Sequence, residues 1–107
     1  MAYSTLAQIK AWLQGITTTA YDTELTATQT AVSYHIDNAL RQYTDLPVQT
    51  QLINELADIE AEMVAAQFYQ RRQTNRDHGN QMLKEAADRL IKFIDARFKT
   101  SIGISNA

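Results

Sequence analysis

The chain has 107 residues, 45% of them hydrophobic and 21% charged, with a net charge of −2 and no cysteine. This length accommodates one domain with a thin core, in a size range where burying surface against neighbours adds stability. The missing thiols exclude disulfide scaffolds, thiolate zinc sites, iron–sulfur clusters and thiol catalysis, and the acidic balance argues against a protein that works by neutralising nucleic-acid phosphates. The opening Met1-Ala2-Tyr3-Ser4 has neither the basic nor the apolar segment of a secretory signal. No stretch approaches the roughly 18 consecutive apolar residues of a membrane span. The expectation is a protein made and kept in solution, without membrane contact.

Four helices are predicted, and no strand is needed. Ser4 and Thr5 are candidate N-caps for a short first helix in which Leu6, Ile9 and Leu13 recur on one face and Trp12 lies beside them, with Gly15 as the stop. A connector from Ile16 to Tyr21 leads to Asp22 or Thr23 as the next cap. Leu25, Val32, Ile36, Ala39 or Leu40, and Tyr43 then trace a second helix ending near Leu46, because the residue before Pro47 is pushed out of the α region. A Thr-rich patch from Thr17 to Thr30 works against this helix, since β-branched side chains lower helix propensity, but the apolar/polar alternation of a strand is absent. The third helix is predicted from about Val48 to about Gln73, with Leu52, Leu56, Ile59, Met63 and Ala66 in one sector and Ile53 and Tyr69 widening it. Thr74 to Asn80, with Gly79, reads as a polar turn. A fourth helix from about Gln81 to Lys99 points Leu83, Ala86, Ala87, Leu90, Ile94 and Phe98 inward. Its outer face carries the spaced pairs Glu85–Arg89, Asp88–Lys92 and Asp95–Lys99. The predicted organisation is a small all-α, four-helix bundle-like domain over residues 1–99 and a C-terminal tail over 100–107, where Ile102 and Ile104 have no local partner and are candidates for docking on another protein.

The chemical inventory is thin. Neither of the two histidines has a second at helical ligand spacing, and zinc requires three or four convergent ligands. His35, beside Ile36, reads as a boundary residue on a helix, and His78 as a solvated or partner-contacting turn residue. The isolated glycines draw no phosphate-cradling loop, and no Gly-x-Ser-x-Gly elbow exists. The expectation is a non-enzyme without cofactor or metal. Glu55, Asp58 and Glu62 recur at i, i+3, i+7, with Glu60 set apart. They read as a solvated flank, as a negative strip lining a channel or meeting a basic partner, or as a divalent-metal site lacking the histidines of di-iron bundles. Arg71, Arg72 and Arg76 gather at the end of the third helix, where cations complement the helix dipole or reach a carboxylate of another subunit. Tyr3, Tyr21, Tyr34, Phe68 and Tyr69 read as core-filling aromatics. Trp12, adjacent to its apolar stripe, reads as core filler or as an interface anchor.

A short helix Tyr3-Ser4-Thr5-Leu6-Ala7-Gln8-Ile9-Lys10-Ala11-Trp12-Leu13 runs into Gly15-Ile16 and a Thr-rich connector. A second helix follows, then a third entered through Pro47 and finished by Phe68-Tyr69-Gln70-Arg71-Arg72, then a polar turn and a last amphipathic helix. From Tyr3 to Phe98 this order resembles the head–tail connector (adaptor) proteins of tailed bacteriophages. The resemblance implies a virion protein, made in the host cytoplasm, that forms a dodecameric ring of identical subunits under the portal protein and joins the capsid vertex to a tail or stopper protein. DNA would pass through such a ring without sequence-specific binding. It further implies Arg71 and Arg72 at ring contacts, the strip Glu55, Asp58 and Glu62 facing the lumen, and Ile102 and Ile104 docking on the portal; Trp12 and Arg76 complete the residues expected at the subunit interface. Two other readings compete: a small helical nucleic-acid-binding regulator, which requires a basic recognition helix, and a small bundle enzyme or metal carrier.

Overall fold

A computed structural model describes residues 2–13, 16, 18–46, 48 and 50–99. It contains α1 (Leu6–Trp12), α2 (Asp22–Leu40), α3 (Thr50–Gln70) and α4 (Arg76–Ile94), with a 3₁₀ turn at Gln73–Asn75 and a π-helical turn at Asp95–Lys99. No strand occurs among the described residues, and the fold is the small all-α bundle expected. Gly15, Pro47 and the tail with Ile102 and Ile104 lie outside the described residues.

Helix α1 starts as its sequence dictates. The Thr5 hydroxyl accepts from the Gln8 N–H at 3.2 Å, and the Gln8 side chain accepts from the Thr5 N–H at 2.8 Å, a reciprocal capping box. For α2 the cap falls one residue earlier than predicted, on Tyr21, and Asp22 lies inside the first turn. There its charge complements the helix N-terminus and meets Lys10 of α1 at 2.7 Å. The threonines are tolerated because their hydroxyls return to the helix. Thr28 donates to the Glu24 carbonyl at 2.9 Å and Thr30 to the Thr26 carbonyl at 3.1 Å. The helix stops at Leu40, six residues short of the predicted end. The Leu40 carbonyl takes the N–H of both Tyr43 (2.9 Å) and Thr44 (3.0 Å), which closes a turn instead of extending the helix.

Helix α3 is the axis on which α1, α2 and α4 pack. From Leu56 to Ala66 all residues but Asp58 are buried, so the single apolar sector predicted for it understates its environment. The predicted polar turn 74–80 is corrected as well: α4 begins at Arg76, and Arg76, Asp77 and His78 form its exposed first turn. Gly79 is buried in that helix rather than bending a loop. A Cβ there would stand 2.6 Å from the Gln70 nitrogen and 2.7 Å from the Ala66 oxygen, so the missing side chain is what lets the backbones of α3 and α4 touch. The inward face of α4 is also rotated relative to the prediction. Met82, Ala86, Leu90, Phe93 and Ile94 are buried, whereas Leu83 and Ala87 are half-buried at an edge.

Gly79→Ala tests the close approach. Helix propensity alone favours alanine by about 1 kcal/mol, yet the overlap with backbone atoms predicts a net loss of about 1–3 kcal/mol in urea unfolding. An unchanged or stabilised variant would contradict the packing described.

Candidate assembly surface

The arginines at the end of α3 are held within the chain. Arg72 donates from Nη1 and Nη2 to the two oxygens of Glu24 on α2, at 2.8 and 3.0 Å, and from Nη1 to the Phe68 carbonyl at 3.2 Å. Its guanidinium lies 3.6 Å from the centre of the Phe68 ring and 5.1 Å from that of Tyr21, and the two rings meet edge to face. Arg71 adds bonds to Glu24 at 3.2 Å and to the Thr28 hydroxyl at 2.8 Å. The bidentate, ring-stacked geometry is one that lysine does not reproduce. The Arg72 bonds hold the Glu24 carboxyl below the usual carboxylate range, against the opposing effect of burial. This cluster fastens the start of α2 to the end of α3. Arg76 is exposed at the start of α4, and Trp12 is half-buried against the core.

The acidic strip of α3 faces basic residues of the last helical stretch. Arg89 donates to Glu62 at 2.6 Å and to Asp58 at 2.5 Å, and Arg97 to Glu55 at 2.7 Å. Glu62 keeps 5% of its side-chain surface, whereas Asp58 and Glu55 keep 52% and 53%. The outward charge of the strip therefore resides in Asp58 and Glu55, each shared with an arginine. The Glu85–Arg89 pair predicted along α4 gives way to this cross-helix bridge, and Glu85 instead accepts from Gln81 at 3.1 Å. Asp88–Lys92 forms as predicted, at 2.9 Å. For Asp95–Lys99, the Lys99 side chain lies outside the described residues.

Sequence reasoning set Glu60 apart and gave it no role, yet it organises the N-terminal segment. Fully buried on α3, its Oε2 accepts the backbone N–H of Tyr3 (3.0 Å) and of Ser4 (2.6 Å) and the Ser4 hydroxyl. Helix α2 supplies the other half of the clamp: Gln29 donates to the Ser4 carbonyl at 2.5 Å, and the Tyr3 hydroxyl donates to Asp37. Burial, followed by the bond to Asp37, pushes the Tyr3 phenol upward, so it remains a neutral donor. Burial also raises the Glu60 carboxyl, opposed by the bonds from Ser4 and Tyr3. Its second oxygen, Oε1, is buried without a hydrogen-bond partner among the described residues. The only sequence signal was an acid in the inward sector of α3.

Helices α2 and α4 both run antiparallel to α3, as the Glu24–Arg72 and Arg97–Glu55 contacts require, and they leave a groove between them. Ala31, Val32 and His35 form one wall and Leu83 and Ala87 the other, over Met63 and Gln67, around a hollow of about 380 Å³. Further along, a smaller hollow of about 160 Å³ is lined by Ala39, Gln42, Tyr43, Ile91 and Ile94. Ile91, in the lining of the smaller hollow, is 56% exposed, and Tyr34 on α2, in the lining of neither, is 63% exposed. Tyr34, and Tyr21 at 38%, depart from the predicted core-filling role. His35 is exposed, and His78, also exposed, sets its ring edge to face with Tyr69 at 4.9 Å. No group of three or more metal-ligating side chains occurs among the described residues, and no helix among them is long and apolar enough to cross a membrane. The chain matches no protein-family model, no curated protein and no solved structure.

Two predictions follow from the buried carboxylates. Because the folded-state pKa of Glu60 is raised, the folded chain holds more protons than the unfolded one in the window above the ordinary value of about 4.3. Stability from this group therefore falls as pH rises through that window. Urea unfolding at stepped pH should show wild type gaining on Glu60→Gln as pH drops from 7 toward about 4, while Glu60→Ala, which orphans three donors, loses about 2–4 kcal/mol at any of these pH values. A pH-independent difference between wild type and Glu60→Gln would refute the assignment. Separately, Arg89→Ala strands the buried Glu62 and should cost about 2–4 kcal/mol, whereas Arg97→Ala at an exposed pair should cost under about 1 kcal/mol. Equal losses in thermal or urea unfolding would show that burial does not distinguish these bridges.

Proposed function

We propose that this chain is a structural assembly subunit, specifically a head–tail connector (adaptor) of a tailed bacteriophage. In this reading it forms a ring, dodecameric like the portal beneath which it sits, joins the capsid vertex to a tail or stopper protein, and lets DNA pass without sequence-specific contact. The observation that carries the assembly reading is the largely apolar groove between α2 and α4, with Ile91 exposed at the hollow further along it. A largely apolar hollow between two helices offers a seat for apolar side chains of another polypeptide. The connector assignment itself rests on the helix order and on the Phe68-Tyr69-Gln70-Arg71-Arg72 ending.

Asp58 and Glu55 are the members of the acidic strip with surface available to a lumen, and Arg76 and the exposed part of Arg71 are the members of the arginine cluster available to a neighbour. The regulator reading has less support, because Arg71, Arg72, Arg89 and Arg97 all bond carboxylates of the same chain.

Light scattering on a size-exclusion column and negative-stain imaging, each with and without a portal protein, test the proposal. A ring is the expected particle. Ile91→Asp should preserve helicity and unfold within about 0.5 kcal/mol of wild type, yet fail to assemble. A chain that stays monomeric and ignores the portal would count decisively against the connector reading.

A further inference from the structure

The groove between α2 and α4 has a definable chemistry. Its walls are mostly small or aliphatic, with Ala31 facing Leu83 and Ala87, and its polar groups are His35 on one wall and the half-buried Gln67 on the floor. An occupant must therefore bring aliphatic side chains and little charge. The segment Thr100-Ser101-Ile102-Gly103-Ile104-Ser105-Asn106-Ala107 has that composition: it has no charged side chain, and two isoleucines spaced by one glycine. In an extended conformation residues two apart point the same way, about 6.7 Å from one another. Successive groove positions on α4, four residues apart, are separated by about 6 Å. Ile102 and Ile104 thus match the repeat of Leu83, Ala87 and Ile91.

Reach decides whose segment it is. Lys99 stands twelve residues beyond Ala87 and sixteen beyond Leu83, which is about 18 and 24 Å along the helix. Ile104 follows Lys99 by five residues, a span of at most about 18 Å when fully extended. To bring Ile104 level with Ala87, the chain's own segment would need the full extended span from Lys99 to Ile104. Nothing would remain for reversing direction or for stepping sideways off α4, so the larger hollow is out of its reach.

We infer that the α2–α4 groove receives the C-terminal segment 100–107 of a second copy of this chain, in extended form, with Ile102 and Ile104 packed against Leu83, Ala87 and Ile91. The inference rests on the assembly reading and supplies its self-contact. A tail on one part of the molecule entering a groove on another is a heterologous contact, the kind that closes into rings when the rotation per subunit permits. Gln67 and His35 then face an extended backbone whose N–H and C=O groups require partners.

The chain has no cysteine of its own, so single cysteines report contacts cleanly. Full-length Ala87→Cys and full-length Ile104→Cys, mixed and oxidised, should give a disulfide-linked dimer whose linking peptides, identified by mass spectrometry, join the two positions. Adding Leu83→Asp to the first variant should abolish that band. In parallel, Ile102→Asp/Ile104→Asp should keep wild-type helicity and lose the oligomer seen by light scattering.

If the oligomer survives Ile102→Asp/Ile104→Asp and no mixed link forms, the tail is not the occupant, while the assembly reading stands. If both cysteines in one chain link only within a monomer, the reach argument is wrong. If the wild-type chain never associates with itself, alone or on a portal, the inference falls together with the reading beneath it.

Discussion

A carboxylate buried inside a bundle must find partners there, and α3 carries two such groups in its most enclosed stretch, Leu56 to Ala66. Glu60 and Glu62 are both buried, and an unpaired charge in that setting costs several kcal/mol. The rest of the bundle is arranged around this constraint. Glu60 is answered from one side by the backbone of Tyr3 and Ser4, which draws the N-terminal segment onto α3 and places α1 behind it. Glu62 is answered from the other side by Arg89, which fixes the rotation of α4. With those registers set, Gly79 can seat the first turn of α4 on the last turn of α3.

Four arginines are committed in the same way to carboxylates of their own chain. Arg71 and Arg72 close the α2–α3 end through Glu24, and Arg89 and Arg97 close α4 onto α3. Charged groups in this protein largely serve internal registration. Between α2 and α4 the surface is instead a largely apolar groove, the feature on which the proposed assembly rests.

Local pattern made the helices legible. Leu6, Ile9 and Leu13, Thr5 as a cap, and the inward residues of α2 and α3 follow from helical spacing and capping preferences that act within a few residues. Ends were less legible. The close of α2 at Leu40 depends on one carbonyl shared by two turn N–H groups, and the start of α4 at Arg76 hides behind polar residues that look equally at home in a loop. Glu60 was visible as a residue but not as a clamp, because its partners lie more than fifty residues away in the chain.

By itself the sequence determined that this protein is helical, where its apolar stripes run, and that its charges are too balanced to form a basic face, since those properties are set by side chains near one another along the chain. Only the tertiary structure decided which arginine meets which carboxylate, that Gly79 is a contact rather than a turn, and that α2 and α4 leave a groove between them. Those outcomes depend on how helices rotate and approach in space, a freedom fixed only when the buried carboxylates and backbones of several elements are satisfied at once.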